Sequence, residues 1–326
     1  MKIRADQLLV QRGLASTRAQ AQRLIASGVQ WQKLDMHNEL VWQKVIKNGD
    51  LMPDDAPIEL LDVAEARYVS RGGLKLEGAL QTLGLTVKGS TCLDVGQSTG
   101  GFTDCLLQQG AARVVGVDVG FGQLHDKLRS DERVLCFERV NAREPGAIAT
   151  EIAKLLAGEV EEDNDFDSEF DDDYDDEDIK STPKNIATQA INTPTSTLFE
   201  PDFVAEFDFI VGDLSFISQT LVLPAIAPLL KPNGCLVMLV KPQFELNFGQ
   251  VGKGGIVREA ALYEQVEKRV REAYVEQGLT VHAWLESPIQ GGDGNREFFI
   301  HASKVAAKLA AVEAVKSNAK TKSKAK

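Results

Sequence analysis

The sequence predicts an α/β fold with a mainly parallel sheet, preceded by a small α+β unit, and three observations carry that prediction. Short apolar runs at 92–95, 114–117, 134–137, 207–212 and 235–240 have the length and pattern of strands buried on both faces. Apolar-periodic stretches of helical spacing alternate with them, which is the order of βαβ units. The first sixty or so residues follow a different rhythm, two short helical stretches and then weak strand-like segments, and are read as a separate unit.

In that first unit Ile3 to Leu9 begins a helix that ends near Gly13. Thr17 and Gln20 form a T-x-x-Q capping box for a second helix with the apolar stripe Ala21, Leu24 and Ile25, stopped by Gly28. Arg18 and Arg23 fall off the stripe. Strand-like segments follow around 29–31, 41–42 and 58–61. Two short helices presenting arginines ahead of a small sheet resemble the S-four RNA-binding domain, and the resemblance makes Arg4, Arg18 and Arg23 candidate RNA contacts. The unit is assigned to residues 1–62 and the linker to 63–68.

The larger unit, 69–303, is organised around Thr91 to Gly120. A strand enters Asp94-Val95-Gly96, a turn carries Gly100-Gly101, a helix through Phe102, Leu106 and Leu107 ends at Gly110, and Val114 to Val117 delivers Asp118. In doubly wound sheets the ligand lies beyond the strand C-termini, and an acid ending the second strand meets ribose hydroxyls. Asp118 follows Gly96 by 22 residues, the separation that arrangement needs. Ser98 stands where the dinucleotide fingerprint G-x-G-x-x-G has its second glycine. Asp94 sets a carboxylate at the mouth of the loop, where it would repel a diphosphate and suit the ammonium and sulfonium of S-adenosylmethionine. A methyl donor is therefore expected in place of NAD, with Asp94 and Asp118 as its candidate contacts.

A helix from Leu74 to Leu83 precedes this stretch, with Lys75 off its apolar side. After Asp118 come a third strand at 134–137 and a helix at 147–156. Residues 158–198 are acidic, then rich in Ser, Thr, Asn and Pro, and read as a disordered insertion that buries too little apolar area to offset its ordering entropy. Order resumes with a strand delivering Asp213, a helix through Leu221 and Leu229, a turn at 231–234 and a strand delivering Lys241. Glycine-rich Pro242 to Val257 has no clear periodicity and suits a loop closing over substrate. A helix at 259–278, a strand at 280–285, the Gly291–Asn295 turn and a last strand from Arg296, carrying Glu297, complete the unit. The hairpin makes that strand antiparallel to its neighbour. The fold class is thus a Rossmann-like S-adenosylmethionine-dependent methyltransferase sheet with a terminal antiparallel hairpin.

Composition bounds the function. With 326 residues, 43% of them hydrophobic, the chain can fill a large core, and no run approaches the roughly 20 apolar residues of a membrane span, so a cytoplasmic protein is expected. Its four cysteines are widely spaced, which indicates neither a metal site nor a disulfide framework. Fourteen acids and no base fall within 159–178, so the net charge of −12 becomes +2 without that stretch. Residues 1–33 hold six Lys/Arg and one acid, and the tail 304–326 holds seven Lys and one acid. Such basic ends are footprints for a polyanion.

The strand ends bring forward Asp213, Lys241 and Glu297, with Lys75 on the preceding helix. No cysteine occupies a strand-end loop, as methylation of a base carbon would need, and Asp213-Leu214-Ser215-Phe216 lacks the prolines of an amine-cradling turn. A ribose hydroxyl is a very weak acid, so two lysines positioned by two carboxylates suit its methylation. Two ordinary ion pairs are the alternative. The motifs SRGGLKLEGAL, LDVGQSTGGFTD, VDVGFGQL, VGDLSFIS, VKPQFE and GNREFF together resemble the TlyA family of rRNA 2′-O-methyltransferases, also labelled hemolysins, whose catalytic domain is similar to FtsJ. The resemblance implies that Lys75, Asp213, Lys241 and Glu297 are a catalytic tetrad, that Asp94, Gly96, Gly100 and Asp118 line the cofactor pocket, that the partner is ribosomal RNA or a ribosomal subunit, and that a cytidine ribose is the target. No obligate protein partner is inferred. The rival readings are a non-catalytic RNA-binding assembly factor and a pore-forming hemolysin.

Overall fold

The computed structural model describes residues 1–15, 17–34, 39–61, 67–158, 203–247, 249–291 and 294–304. Apart from Gly158, the expected insertion lies outside them, as do most of the linker and the tail beyond Lys304.

The N-terminal unit opens with a strand, β1 (Lys2–Arg4), and helix α1 (Ala5–Gln11) starts only after it. Pairing across space overrides the helical reading of Ile3, because β1 runs antiparallel to β4 (Leu51–Pro53), with Ile3 opposite Met52. Helix α2 (Arg18–Gly28) is capped as its sequence predicts, the Thr17 side chain accepting from the Gln20 amide. Strand β2 (Val29–Leu34) lies between β3 (Leu40–Lys44) and β5 (Ile58–Leu60). Leu8, Leu9, Leu24, Ile25, Val29 and Met52 form the core of this unit.

The larger unit contains a seven-stranded sheet. In chain order its strands are β6 (Thr91–Val95), β7 (Arg113–Val117), β8 (Val134–Phe137), β9 (Phe207–Gly212), β10 (Leu230–Val240), β11 (Leu279–Glu286) and β12 (Phe298–Lys304). In space they run β11-β12-β10-β9-β6-β7-β8. Strands β6 to β10 pair in parallel, and β12 is antiparallel to both of its neighbours, so the terminal hairpin has the expected sense. The strand order reverses between β6 and β9, the point at which an open α/β sheet leaves a crevice.

Alternation along the strands divides the core into two layers. Cys92, Val114, Val211, Val237 and Phe299 pack toward helices α3 (Arg71–Leu83) and α4 (Gly101–Gln108), joined by Leu128 of the one-turn helix α5 (Asp126–Arg129). Leu93, Val115, Ile210, Leu236 and Ile300 pack on the other side, with α6 (Ala147–Ala157), α7 (Gln219–Ile226) and α9 (Ala260–Glu276). Between α7 and α9 the chain makes one more turn of helix, α8 (Pro242–Glu245). The predicted turn at 231–234 lies inside β10 as a register break between Leu230 and Cys235, with Asn233 at φ +63°. Lys304, placed in the tail by the sequence reading, is the last residue of β12 and donates to the carbonyls of Pro228 and Leu230.

Candidate active site

Three loops meet where the strand order reverses. The first, Gly96 to Gly101, links β6 to α4. Gly96 has φ +79°, Gly100 +91° and Ser98 +47°, so the serine in a glycine position of the fingerprint adopts the left-handed backbone that glycine would supply. Its amide donates to Asp118 Oδ2 at 2.7 Å, and the Gly120 amide donates to Asp118 Oδ1 at 2.7 Å. Asp118 thus ties together the two loops that flank the strand ends, and each oxygen keeps a lone pair for a further donor.

Two cofactor expectations are corrected in detail. Asp94 is not at the open mouth of the loop: it is fully buried, one oxygen accepting from the Thr103 hydroxyl at 2.7 Å while Oδ1 has no partner. A strand residue at that register points into the sheet interface, beneath the loop it precedes. Gly100 presents its α-carbon to leucines, since a Cβ there would lie 2.3 Å from Leu128 and 2.7 Å from Leu124, so packing against these leucines requires glycine at this position.

The second loop follows β9 and holds Asp213 and Ser215; the third follows β10 and holds Lys241. Lys241 Nζ lies 2.6 Å from Asp213 Oδ1, at an angle outside hydrogen-bonding geometry, and donates to Ser215 Oγ at 2.8 Å. The β10–β12 ladder ends at Val240 opposite Phe298, so one further step sets Lys241 beside Glu297. Glu297, 3% exposed, accepts from Lys75 Nζ at 2.5 Å. Lys75, buried in α3, is held there because α3 packs closely on α4: a Cβ at Gly101 would meet Ser70 Oγ at 2.1 Å. The four candidate catalytic residues therefore form two ion pairs, on adjoining strand ends and the helix above them.

A cleft of about 440 Å³ of unfilled space, open solvent included, is lined by Ser70, Gly96, Ser98, Asp213, Ser215 and Lys241, among others. Gln97 lies against it, 3% exposed, its Nε2 on Thr103 and its Oε1 unpartnered. Gln97 Oε1, in the lining of the cleft, and Asp94 Oδ1, buried beneath the glycine loop, are thus two buried acceptors without donors. Such orphans are costly unless a donor arrives, and the ammonium of an amino-acid-bearing methyl donor is a donor of the right charge. The residues present fit that cofactor.

Ser215 and Gln97 were not identified from sequence as site residues. Phe216 was quoted only as part of a turn, yet it is 91% exposed, has φ +63°, and lies 5.2 Å centroid to centroid from Phe244 beside the cleft. A left-handed backbone at an exposed aromatic is the strain that functional sites retain. The Pro242 to Val257 segment is less free than its sequence implied. The Asn295 side chain accepts from the Val257 amide and donates to Gly255 O, and Tyr263 donates to Val257 O.

The candidate RNA contacts are not brought to this cleft; they lie on β1 and α2 of the N-terminal unit. Arg4 (Nε and Nη2) and Arg18 (Nε) donate to one buried carboxylate, Asp6, at 2.9–3.0 Å. Arg23 is half-buried on α2.

A family model described as FtsJ-like methyltransferase matches residues 68–304. The 16S/23S rRNA (cytidine-2′-O)-methyltransferase TlyA of Mycobacterium tuberculosis is 35% identical over 299 residues, covering 92% of this chain and 89% of the relative. Hemolysin A of Brachyspira hyodysenteriae is 32% identical, covering 92% and 99%. A solved structure of a candidate hemolysin from Streptococcus thermophilus superposes with a TM-score of 0.58 at 36% identity, covering 93% of this chain and 89% of that one. With the glycine loop, the strand order and the paired lysines and carboxylates all in place, the chain belongs to the FtsJ-like methyltransferase family, in its TlyA group.

Proposed function

We propose that this protein transfers a methyl group from S-adenosylmethionine to the 2′-hydroxyl of a ribose, a cytidine ribose, in ribosomal RNA. The observation that carries the reading is the double pairing of Lys241 with Asp213 and Lys75 with Glu297 at the strand ends lining or adjoining one cleft. Gln97 and Asp94 would hold the donor's ammonium through their unpartnered oxygens, and Asp118 would accept from its ribose. The donor supplies an electrophilic methyl on a sulfonium.

The weakly acidic hydroxyl must become an alkoxide as the new bond forms. Lys241 stands at the cleft wall, ion-paired with Asp213 and donating to Ser215; as an ammonium it stabilises the developing alkoxide through a further N–H, and as a neutral amine its lone pair takes up the hydroxyl proton. Glu297 neutralises Lys75 and Asp213 offsets Lys241, so the four groups carry no net charge and the developing anion is met by the nearest cationic donor, Lys241, and not by a net positive field. The substrate places the reaction in the cytoplasm, and among the described residues no helix is long and apolar enough to cross a membrane. The domain division, residues 1–62 for docking on RNA and 69–303 for chemistry, belongs to the same proposal.

The test is Lys241→Met, which keeps the side chain's bulk and removes its amine. Tritiated-methyl incorporation into ribosomal subunits should fall by at least about 10³-fold, given that a single transition-state donor supplies about 10²–10³ and acid–base assistance adds to it. Calorimetry should find donor affinity within about twofold of the parent. Turnover near the parental rate would return the pairs to a structural role.

A further inference from the structure

Behind Lys241 lies a buried polar cluster that the proposed chemistry does not use. Glu245, the last residue of α8, is 3% exposed. Its Oε1 accepts from the Gln219 amide at 2.8 Å, and its Oε2 accepts from the Ser218 hydroxyl. Ser218 is the N-cap of α7, its own oxygen accepting from the Thr220 amide. The Gln219 side chain accepts from the hydroxyl of Tyr274, a fully buried residue of α9, at 2.7 Å. Arg269, also on α9, donates to the Glu245 carbonyl at 2.6 Å.

The position of this cluster in the chain gives it meaning. Ser218 and Gln219 end the segment that begins with Asp213 and Ser215, and Glu245 ends the segment that begins with Lys241. The two segments start at the cleft, where Lys241 bridges them to Asp213 and Ser215, and close again at Glu245. Leu214, Leu239, Lys241, Phe244 and Glu245 come together between the two ties and leave no room for a water molecule. Burial pushes the Glu245 carboxyl up, and Ser218, Gln219 and Arg269 oppose it. A buried carboxylate with both oxygens engaged is a rigid connector, and a helix cap alone needs only the serine already there.

We infer that Glu245 is a positioning residue for methyl transfer: by joining the first turn of α7 to the end of α8, it fixes the separation of Lys241 from Asp213 and Ser215. This rests on the proposed role of Lys241. A displacement of about 1 Å at a reacting group can cost on the order of 10²-fold in rate, so a change at Glu245 should appear in kcat.

The experiment uses the full chain and ribosomal subunits. Glu245→Gln keeps volume and one acceptor but loses the second acceptor for Ser218. The expected result is a fall of about tenfold or more in kcat, with KM for subunits and Kd for S-adenosylmethionine within about threefold of the parent. Glu245→Asp, too short to reach both partners, should be equally slow, which a requirement for charge alone would not produce. Ser218→Ala removes one bond and should give an intermediate rate; it decides the matter if the Glu245 variants do not fold. Thermal melts with donor present separate the alternatives. A lowered melting temperature with parental kcat per folded molecule would make Glu245 a stability residue and overturn the inference. Lys241→Met is measured alongside. If it stays active, the reading of the site fails; if it is inactive while Glu245→Gln and Ser218→Ala turn over at the parental rate, only this inference fails.

Discussion

Asp94 is fully buried, and burial, reinforced by the charge of Asp213 and opposed by the Thr103 hydroxyl, pushes its carboxyl up to about 7. A raised value means that the folded chain holds the proton longer than the unfolded one. Stability present below the ordinary value of 3.8 is therefore lost as pH rises toward about 7, by up to about 4 kcal/mol at roughly 1.4 kcal/mol per unit. A bound ammonium would reverse that loss. We expect donor affinity, measured by calorimetry, to tighten between pH 6 and pH 8 in the parent and to be both weaker and flatter in Asp94→Asn. Without donor, the Asn variant should melt above the parent at pH 8 and near it at pH 5. Equal pH dependence of donor binding in both proteins would remove Asp94 from the ammonium site.

At the scale of elements, the basic start of the N-terminal unit is more constrained than its charge pattern indicates. Asp6, fully buried, is held well below the usual carboxylate range, chiefly by the Arg4 guanidinium and further by Arg18. Its contribution is present above the ordinary carboxylate value and is lost only as pH falls through the depressed one, so this contact should survive mild acid. Arg18 keeps 56% of its side chain exposed and can still meet a phosphate. Arg18→Ala together with Arg23→Ala should weaken rRNA binding and flatten the slope of log affinity against log salt by about 0.7–0.9 per lost phosphate contact. Because Arg18 also serves Asp6, the melting temperature must be measured with it; Asp6→Asn, costing roughly 1–3 kcal/mol, marks the change expected from structure alone. An unchanged salt slope would remove this face as the docking surface.

What the sequence made legible at this scale has a physical basis. Continuous apolar runs locate parallel strands, and a residue that follows such a run must emerge at the sheet edge, so Asp118, Asp213 and Lys241 could be placed without coordinates. The antiparallel strand could be placed by its glycine turn, and Glu297 with it. Partnerships through space were not legible. Ser215 meets Lys241 across 26 residues and Glu245 meets Ser218 across 27, with no periodicity linking them. Strand β1 escaped because its partner β4 is three residues long and lies 47 residues or more away. Asp94 was placed in sequence but not in depth, since alternation predicts a face and not how closely a loop covers it.

At the scale of the whole molecule, charge is divided between an acidic stretch and basic ends. The fourteen acids within 159–178 follow α6, whose C-cap Gly158 has φ +73°, and lie outside the described residues. A tethered polyanion has an effective concentration of roughly millimolar over short linkers and would compete with RNA for basic surface. Deleting 159–196, with Gly158 kept as the cap, should tighten rRNA binding at low salt, with a smaller gain at high salt as screening grows. Identical affinities at both salts would identify the stretch as an inert spacer.

The partner of Lys75 lies 222 residues further along the chain. During synthesis the glycine loop, Asp118, Asp213 and Lys241 all leave the ribosome before Glu297 exists, and Glu297 takes its place only when β12 inserts antiparallel between β10 and β11. The residues of the glycine loop are thus made well before Glu297, and the Lys75–Glu297 pair waits for the final strand. Under the proposed mechanism, an incomplete chain emerging beside ribosomal RNA would lack one carboxylate of the four paired groups until β12 is in place.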